Sequence, residues 1–156
     1  VTIKLDVGCG YRKQQGFIGL DVRPTPQTDY VCSLQDTHNL FPYGTVDEIY
    51  SRRVIQHISD DVVAFKEVFR LLRVGGRATI IVAGYKAWLY YHLWRKHRCG
   101  STYPCFHLYT KGRLKRKLKQ LYSADYQVDC CIYTTTKECH AHSFDIVLKL
   151  FKVTES

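Results

Sequence analysis

Ile3-Lys4-Leu5-Asp6-Val7-Gly8-Cys9-Gly10 opens the chain with an apolar run that breaks into two glycines around a cysteine. Ile3, Leu5 and Val7 suit a strand buried in a sheet. Gly8 and Gly10 let the backbone turn sharply and let a ligand approach with no Cβ in its way. A second apolar run, Phe17-Ile18-Gly19-Leu20, ends on Asp21. An ionised carboxylate accepts hydrogen bonds only and has room for two donors, which matches the two hydroxyls of a ribose. Strand, glycine turn, strand and acid make a nucleoside-binding arrangement. The dinucleotide fingerprint Gly-x-Gly-x-x-Gly is not met, because Lys13 stands where its third glycine belongs, and a hydride-transfer enzyme is disfavoured.

Working outward, Tyr11 to Gly16 is short and polar and leaves no room for a full crossover helix before the second strand. Arg23-Pro24-Thr25-Pro26 ends that strand, since proline lacks a ladder donor and restricts the residue before it. Tyr30 to Cys32 reads as a third strand and Val46 to Tyr50 as a fourth, entered through the turn Pro42–Thr45. Ser59 is placed to cap a helix with Asp60 and Asp61 in its first turn. Val62, Phe65, Phe69 and Leu72 give that helix one apolar face, and Gly75-Gly76 is expected to stop it. Arg77 to Ala83 is a nearly continuous apolar strand, as in a sheet covered on both faces. Thr110 can cap a second helix, Lys111 to Leu121, with Leu114, Leu118 and Leu121 inward. Tyr126–Tyr133 and Ser143–Val153 read as two final strands joined by Thr134–His142.

Four of these stretches, in order, resemble the motifs of the class I S-adenosylmethionine-dependent methyltransferases. Leu5-Asp6-Val7-Gly8-Cys9-Gly10 resembles the first, and Gly19-Leu20-Asp21-Val22 the second, which carries the ribose-binding acid. Val46-Asp47-Glu48-Ile49-Tyr50-Ser51 resembles the fourth strand of that family. Leu71-Leu72-Arg73-Val74-Gly75-Gly76-Arg77 resembles the turn before its fifth. The resemblance implies an α/β, Rossmann-like sheet of seven strands, mostly parallel, with helices on both faces and a terminal antiparallel hairpin. It implies S-adenosyl-L-methionine as cofactor, with Asp6, Gly8, Cys9, Gly10, Asp21, Val22, Ser33, Leu34 and Arg52 as its candidate binding residues. Ser33 stands where many relatives carry an acid that meets the adenine amino group, and Asp36 is the other candidate for that role. The loop Ser51–Ile58 resembles the one bordering the methyl-transfer site, which makes Gln56 and His57 candidate substrate residues.

The length of 156 residues fits a single domain spanning 1–156. No apolar run approaches the roughly 20 residues of a membrane span. Nor is a secretory signal expected, since Lys4 and Asp6 interrupt the first apolar stretch. Seven cysteines in no regular framework fit a reducing compartment, and a cytoplasmic setting is expected. Cys99, Cys105 and His107, and Cys139, His140 and His142, gather in two clusters without a Cys-x-x-Cys pair, so no metal is assigned. With no methionine and a start at Val1, the chain would fit a domain cut from a viral polyprotein or a trimmed piece of a longer protein.

Charge separates the two halves. Residues 1–83 hold 10 Lys and Arg against 9 Asp and Glu, whereas residues 84–156 hold 13 against 5, which accounts for most of the net +9. From Gly84 to Lys119 there are ten basic residues and no acid, interleaved with Tyr85, Trp88, Tyr91, Trp94 and Tyr109. Aromatic faces stack on bases and cations hold phosphates. A one-sign face on Lys111–Leu121 points to a polyanion, although a charge run is more often a solvated surface. Tyr85, Trp88, Tyr109, Lys115, Arg116, Lys117 and Lys119 are therefore the remaining candidate substrate residues. The partner expected is RNA, at its capped 5′ end, with neither DNA nor a membrane. Ring nitrogen 7 of the cap guanine has its own lone pair and needs no general base, so no catalytic residue is assigned. The Lys-Asp-Lys-Glu pattern of ribose methylation is not evident. A small-molecule or sugar-pathway methyltransferase and a non-catalytic RNA-binding subunit are the alternatives.

Overall fold

The computed structural model describes residues 1–84, 109–121, 131–134 and 145–153. The strands are β1 (Lys4–Val7), β2 (Ile18–Asp21), β3 (Tyr30–Val31), β4 (Val46–Arg52), β5 (Leu72–Ala83), β6 (Cys131–Thr134) and β7 (Asp145–Phe151). They hydrogen-bond into one sheet in the order β3-β2-β1-β4-β5-β7-β6. The pairs from β3 through β5 are parallel, and β7 runs antiparallel to both β5 and β6. The connection between β6 and β7 lies outside the described residues. No full helix stands between β1 and β2, as the shortness of Tyr11–Gly16 requires.

Register sorts the side chains into two faces. Leu5, Ile49 and Ala78 are cross-strand partners in one row, and Val7, Leu20, Ile80, Val82 and Leu148 lie on the same side in a continuous buried core. Two helices cover this side, α1 (Asp61–Leu71) through Ala64, Phe65 and Val68, and α2 (Lys111–Leu121) through Leu114 and Leu118. Among the described residues both α-helices share this face. The opposite face is polar at its amino end. There Glu48 accepts an ion pair from Lys4 at 3.0 Å and another from Arg77 at 3.0 Å.

Local chemistry moves two predicted boundaries. Asp60, not Ser59, caps α1, its carboxylate accepting from the N–H groups of Val62 at 3.0 Å and Val63 at 3.1 Å. The helix ends at Leu71, before the glycines, and β5 begins at once with Leu72. Gly75-Gly76 sit instead inside a bulge where β4 and β5 slip register between Val46 and Glu48. Gly75 takes φ +78°, and a Cβ on Gly76 would stand 2.8 Å from the Arg73 carbonyl oxygen, so neither position admits a side chain without strain.

The carboxyl end of α1 is closed by a lysine. Lys152, 1% exposed, places Nζ 2.8 Å from the Leu72 carbonyl and 3.4 Å from that of Phe69, while its side chain lies over the Tyr43 ring at 4.2 Å. The ammonium satisfies carbonyls that the helix leaves without partners and sits where the macrodipole favours a cation. At the amino end of α2, Thr110 caps as expected, its hydroxyl accepting from the Arg113 N–H at 3.3 Å. No helix among the described residues is long and apolar enough to cross a membrane.

Candidate functional site: a cleft at the carboxyl end of the sheet

The site starts where β1 ends. Gly8 and Gly10 adopt φ +74° and +53°, in the left-handed region that favours glycine. The turn they make is tied down on both sides. The N–H groups of Gly8 and Cys9 converge on the Leu20 carbonyl at 2.7 and 3.1 Å. Asp21, at the end of β2, accepts from the Gly10 N–H through one carboxylate oxygen and from the Arg23 N–H through the other, each at 2.9 Å. Asp6 accepts from the Gln14 N–H at 2.7 Å, and Asp29 takes both Gly19 N–H and Lys13 Nζ at 2.6 Å. Three carboxylates thus hold a loop that has no helix to hold it.

Their electrostatics differ. Burial drives the Asp6 carboxyl up to about 6 from its ordinary 3.8, with Asp21 adding to the rise and the Gln14 N–H and Lys13 opposing it. Asp29 lies on the surface and is held below its usual range, first by the Gly19 N–H and then by Lys13. Burial pushes the thiols of Cys9 and Cys32 up, so neither is poised as a nucleophile.

Beside the turn opens a cleft of about 290 Å³. Its walls are Val7 and Gly8 from β1, Leu20 to Arg23 from β2, Cys32 to Leu34 after β3, and Arg52, Arg53, Val54, His57 and Ile58 after β4. Each of four successive parallel strands or their exits supplies part of the wall, at the carboxyl end where open α/β sheets bind ligands. Gly8, Asp21, Val22, Ser33, Leu34, Arg52 and His57, all candidates from the sequence, come together here.

Other candidates are placed elsewhere. Asp6, Cys9 and Gly10 stand behind the wall and shape the turn. The Cys9 thiol faces the Gln27 carbonyl at 3.6 Å, and the Gly10 N–H is spent on Asp21. Gln56 is 3% exposed and lies outside the cleft wall, its amide oxygen without a hydrogen-bond partner among the described residues. Tyr109 and Lys117 are corrections. Tyr109 is 4% exposed and donates its hydroxyl to Asp61 at 2.7 Å, and Lys117 turns inward to pair with the other oxygen of the same carboxylate. The buried Asp61 on α1 holds both side chains. Lys115, Arg116 and Lys119 remain on the exposed side of α2. Tyr85, Trp88 and both Cys/His clusters lie outside the described residues, and no group of three metal-ligating side chains occurs among those described.

Sequence reasoning passed over Arg23 and Cys32 as wall residues, and it included Arg53, Val54 and Ile58 only as members of the loop Ser51–Ile58. Arg53 carried a signal of a kind: it follows a predicted strand at its carboxyl end. Its conformation could not be foreseen, for Arg53 has φ +58°, the one non-glycine positive φ among the described residues. Val54 explains why position 8 is glycine. A Cβ there would fall 2.0 Å from the Val54 Cγ2.

The arrangement fits the adenosine portion of S-adenosylmethionine. Each oxygen of Asp21 has one acceptor site filled by a backbone N–H, which leaves capacity for two hydroxyl donors on the cleft side. Gly8 presents bare backbone to the same space.

Residues 5–80 match the methyltransferase domain family. No curated protein matches the chain. Among solved structures it is similar to a SAM-dependent methyltransferase from Methanosarcina mazei, with 17% identity, TM-score 0.63, and coverage of 97% of this chain and 92% of that one. It is also similar to the 1,6-didemethyltoxoflavin-N1-methyltransferase of Burkholderia thailandensis, solved with its substrate and S-adenosylhomocysteine. There the identity is 16%, the TM-score 0.64, and the coverage 97% and 71%. A geranyl diphosphate methyltransferase in complex with SAM gives 15%, 0.64, 97% and 78%. The fold is that of the class I S-adenosylmethionine-dependent methyltransferases. The matched region, residues 5–80, is similar to a methyltransferase domain, and two of these similar structures were solved with S-adenosylhomocysteine or SAM bound.

Proposed function

We propose that the chain transfers a methyl group from S-adenosylmethionine to RNA, at ring nitrogen 7 of the 5′ cap guanine. The cofactor, when bound, supplies a methyl already activated on a sulfonium. The protein's task is then alignment for in-line attack rather than proton removal. Asp21 would hold the ribose, Gly8 would admit the chain of the cofactor beside β1, and Ser33 and Leu34 would border the adenine. Arg52 and His57 would face the reacting end. Nitrogen 7 attacks with its own lone pair as the carbon–sulfur bond breaks and its electron pair stays on sulfur.

The observation that carries the RNA reading is the one-sign surface of α2. Lys115, Arg116 and Lys119 stand exposed on one helix with no acid among residues 84–119. Phosphate backbones bind such faces with strong salt dependence. A radiolabelled methyl-transfer assay on capped RNA, the same RNA uncapped, and GTP tests it. Label should appear on capped RNA and be recovered as 7-methylguanine. Equal labelling of uncapped RNA, or no labelling of any of the three, overturns the acceptor. The second reading is a small-molecule acceptor, favoured by the substrates named for two of the similar structures, a toxoflavin precursor and geranyl diphosphate. Transfer to a small heterocycle or diphosphate with RNA left unlabelled would establish it.

A further inference from the structure

We infer that Thr25, in the loop that follows β2, is a positioning residue of the nucleoside site: its hydroxyl holds Gly10, whose N–H in turn aims the Asp21 carboxylate at a bound ribose. This rests on the methyltransferase reading and goes on to assign the side chain that keeps the ribose-binding acid in place.

The first observation is what restrains Gly10. It sits at φ +53°, and a Cβ built on it would meet nothing within 4 Å, so its position is not a packed one. A glycine in open space samples a wide range of backbone angles. Two hydrogen bonds fall on it, one at each of its peptide groups. Its N–H donates to one Asp21 oxygen at 2.9 Å, and its carbonyl accepts from the Thr25 hydroxyl at 2.6 Å. The first of these aims the carboxylate, so the donor must be steadied from its other side. That task falls to Thr25.

The second observation is that the same loop supports the other donor alike. Arg23 gives its N–H to the second Asp21 oxygen at 2.9 Å, and the Thr28 hydroxyl donates to the Arg23 carbonyl at 3.0 Å. The two hydroxyl oxygens stand 2.9 Å apart, and the Thr25 N–H donates to the Thr28 hydroxyl at 3.2 Å, so the threonines form one unit. Pro24 and Pro26 flank Thr25 and narrow the conformations open to this segment before any ligand arrives. Both donors on Asp21 are thus backed by a threonine hydroxyl, in a chain with no full helix between β1 and β2. A carboxylate aimed in advance spares the nucleoside the cost of ordering it on binding.

The test is a double-mutant cycle on S-adenosylhomocysteine affinity. Calorimetric titration compares the native chain, Thr25→Val, Asp21→Ala and the double variant, and thermal melts verify that each folds. Thr25→Val removes the hydroxyl and should weaken binding about threefold to tenfold, the range of one neutral hydrogen bond lost, and Thr25→Ser should restore it. In the Asp21→Ala background the same change should alter affinity by less than about twofold, because the group that Thr25 steadies is gone. Where Asp21→Ala binds too weakly to titrate, adenosine against 2′,3′-dideoxyadenosine completes the cycle, and only adenosine should feel Thr25→Val. Thr28→Val should follow the same pattern and takes the place of Thr25→Val if that variant does not fold. Equal losses in both backgrounds overturn the inference, since Thr25 would then act on the turn as a whole. Native affinity in folded Thr25→Val overturns it too, and both results leave the cofactor site standing. Failure of the native chain to bind S-adenosylhomocysteine overturns the methyltransferase reading and the inference together.

Discussion

Asp21 and Asp61 are both buried carboxylates, 7% and 2% exposed, and each receives two hydrogen-bond donors. Their partners separate them. Asp21 is held by the backbone N–H groups of Gly10 and Arg23, with the Arg23 guanidinium 3.6 Å from one oxygen, and it lines the cleft. Asp61 is closed by the Tyr109 hydroxyl, just before α2, and by the Lys117 ammonium of α2, and it joins two helices. One carboxylate is half-satisfied in a space that could hold a ligand, and the other is sealed by the protein itself. A buried acid marks a binding site only where its acceptor capacity is left open.

The largest effect that separates the two belongs to Asp61. Asp61→Ala removes the carboxylate that accepts from the Tyr109 hydroxyl and strips Lys117 of its pair. Lys117 is a third exposed and can turn to water, so a loss near the lower end for such pairs, about 2–3 kcal/mol, is expected in urea unfolding. A loss under about 0.5 kcal/mol would make the Asp61 cluster a surface pair and weaken the contrast with Asp21.

Asp6 sharpens the comparison with a carboxylate whose charge opposes folding. Its folded pKa of about 6 lies above the ordinary 3.8, so the folded state holds the proton more tightly than the unfolded chain does. The stability this contributes is fully present below about pH 4 and is lost as pH rises through about 6. Asp6→Asn keeps an oxygen for the Gln14 N–H and carries no charge. At pH 7 the variant should be more stable than the native chain by about 2 kcal/mol, with the gap closing toward pH 4. Denaturant midpoints across that range measure it, and a gap that does not vary with pH would contradict the assigned burial effect.

The smallest effect concerns α2. Replacing Lys115, Arg116 and Lys119 with Gln leaves Leu114, Leu118 and the Lys117–Asp61 pair in place, so stability should hardly change. RNA affinity should fall and its dependence on log salt should flatten by up to about 0.7 for each single-strand phosphate no longer neutralised. Turnover on a short cap analogue should be spared. An unmoved salt slope would make the basic face an ordinary solvated surface.

Much of the cleft was legible because it is built from short, local patterns. Two glycines after an apolar run and an acid at the end of the next strand are chemistry written in consecutive residues. The inward leucines of α2 follow helical spacing and were equally plain. What escaped depends on contacts between distant residues. Tyr109 and Lys117 were read as facing a substrate because their partner, Asp61, lies 48 and 56 residues away. Ser59 and Asp60 are both competent caps, and it is the Asp60 carboxylate that meets the N–H groups of Val62 and Val63. Gly75-Gly76 read as a helix stop because a bulge inside a strand and a break between elements use the same residues. Lys152 gave no sign of burial, since its partners are backbone carbonyls that carry no side-chain signature.

The claim that the cleft beside Gly8 is a nucleoside site rests on Asp21 more than on any other residue. Calorimetric titration of S-adenosylhomocysteine into the native chain, Asp21→Ala and Asp61→Ala, under conditions where all three are folded, tests it directly. Charge-assisted hydrogen bonds contribute roughly 1.5–3 kcal/mol each, so Asp21→Ala should lose at least about tenfold in affinity while Asp61→Ala keeps it. An unchanged affinity in folded Asp21→Ala would contradict the assignment of the cleft to a nucleoside.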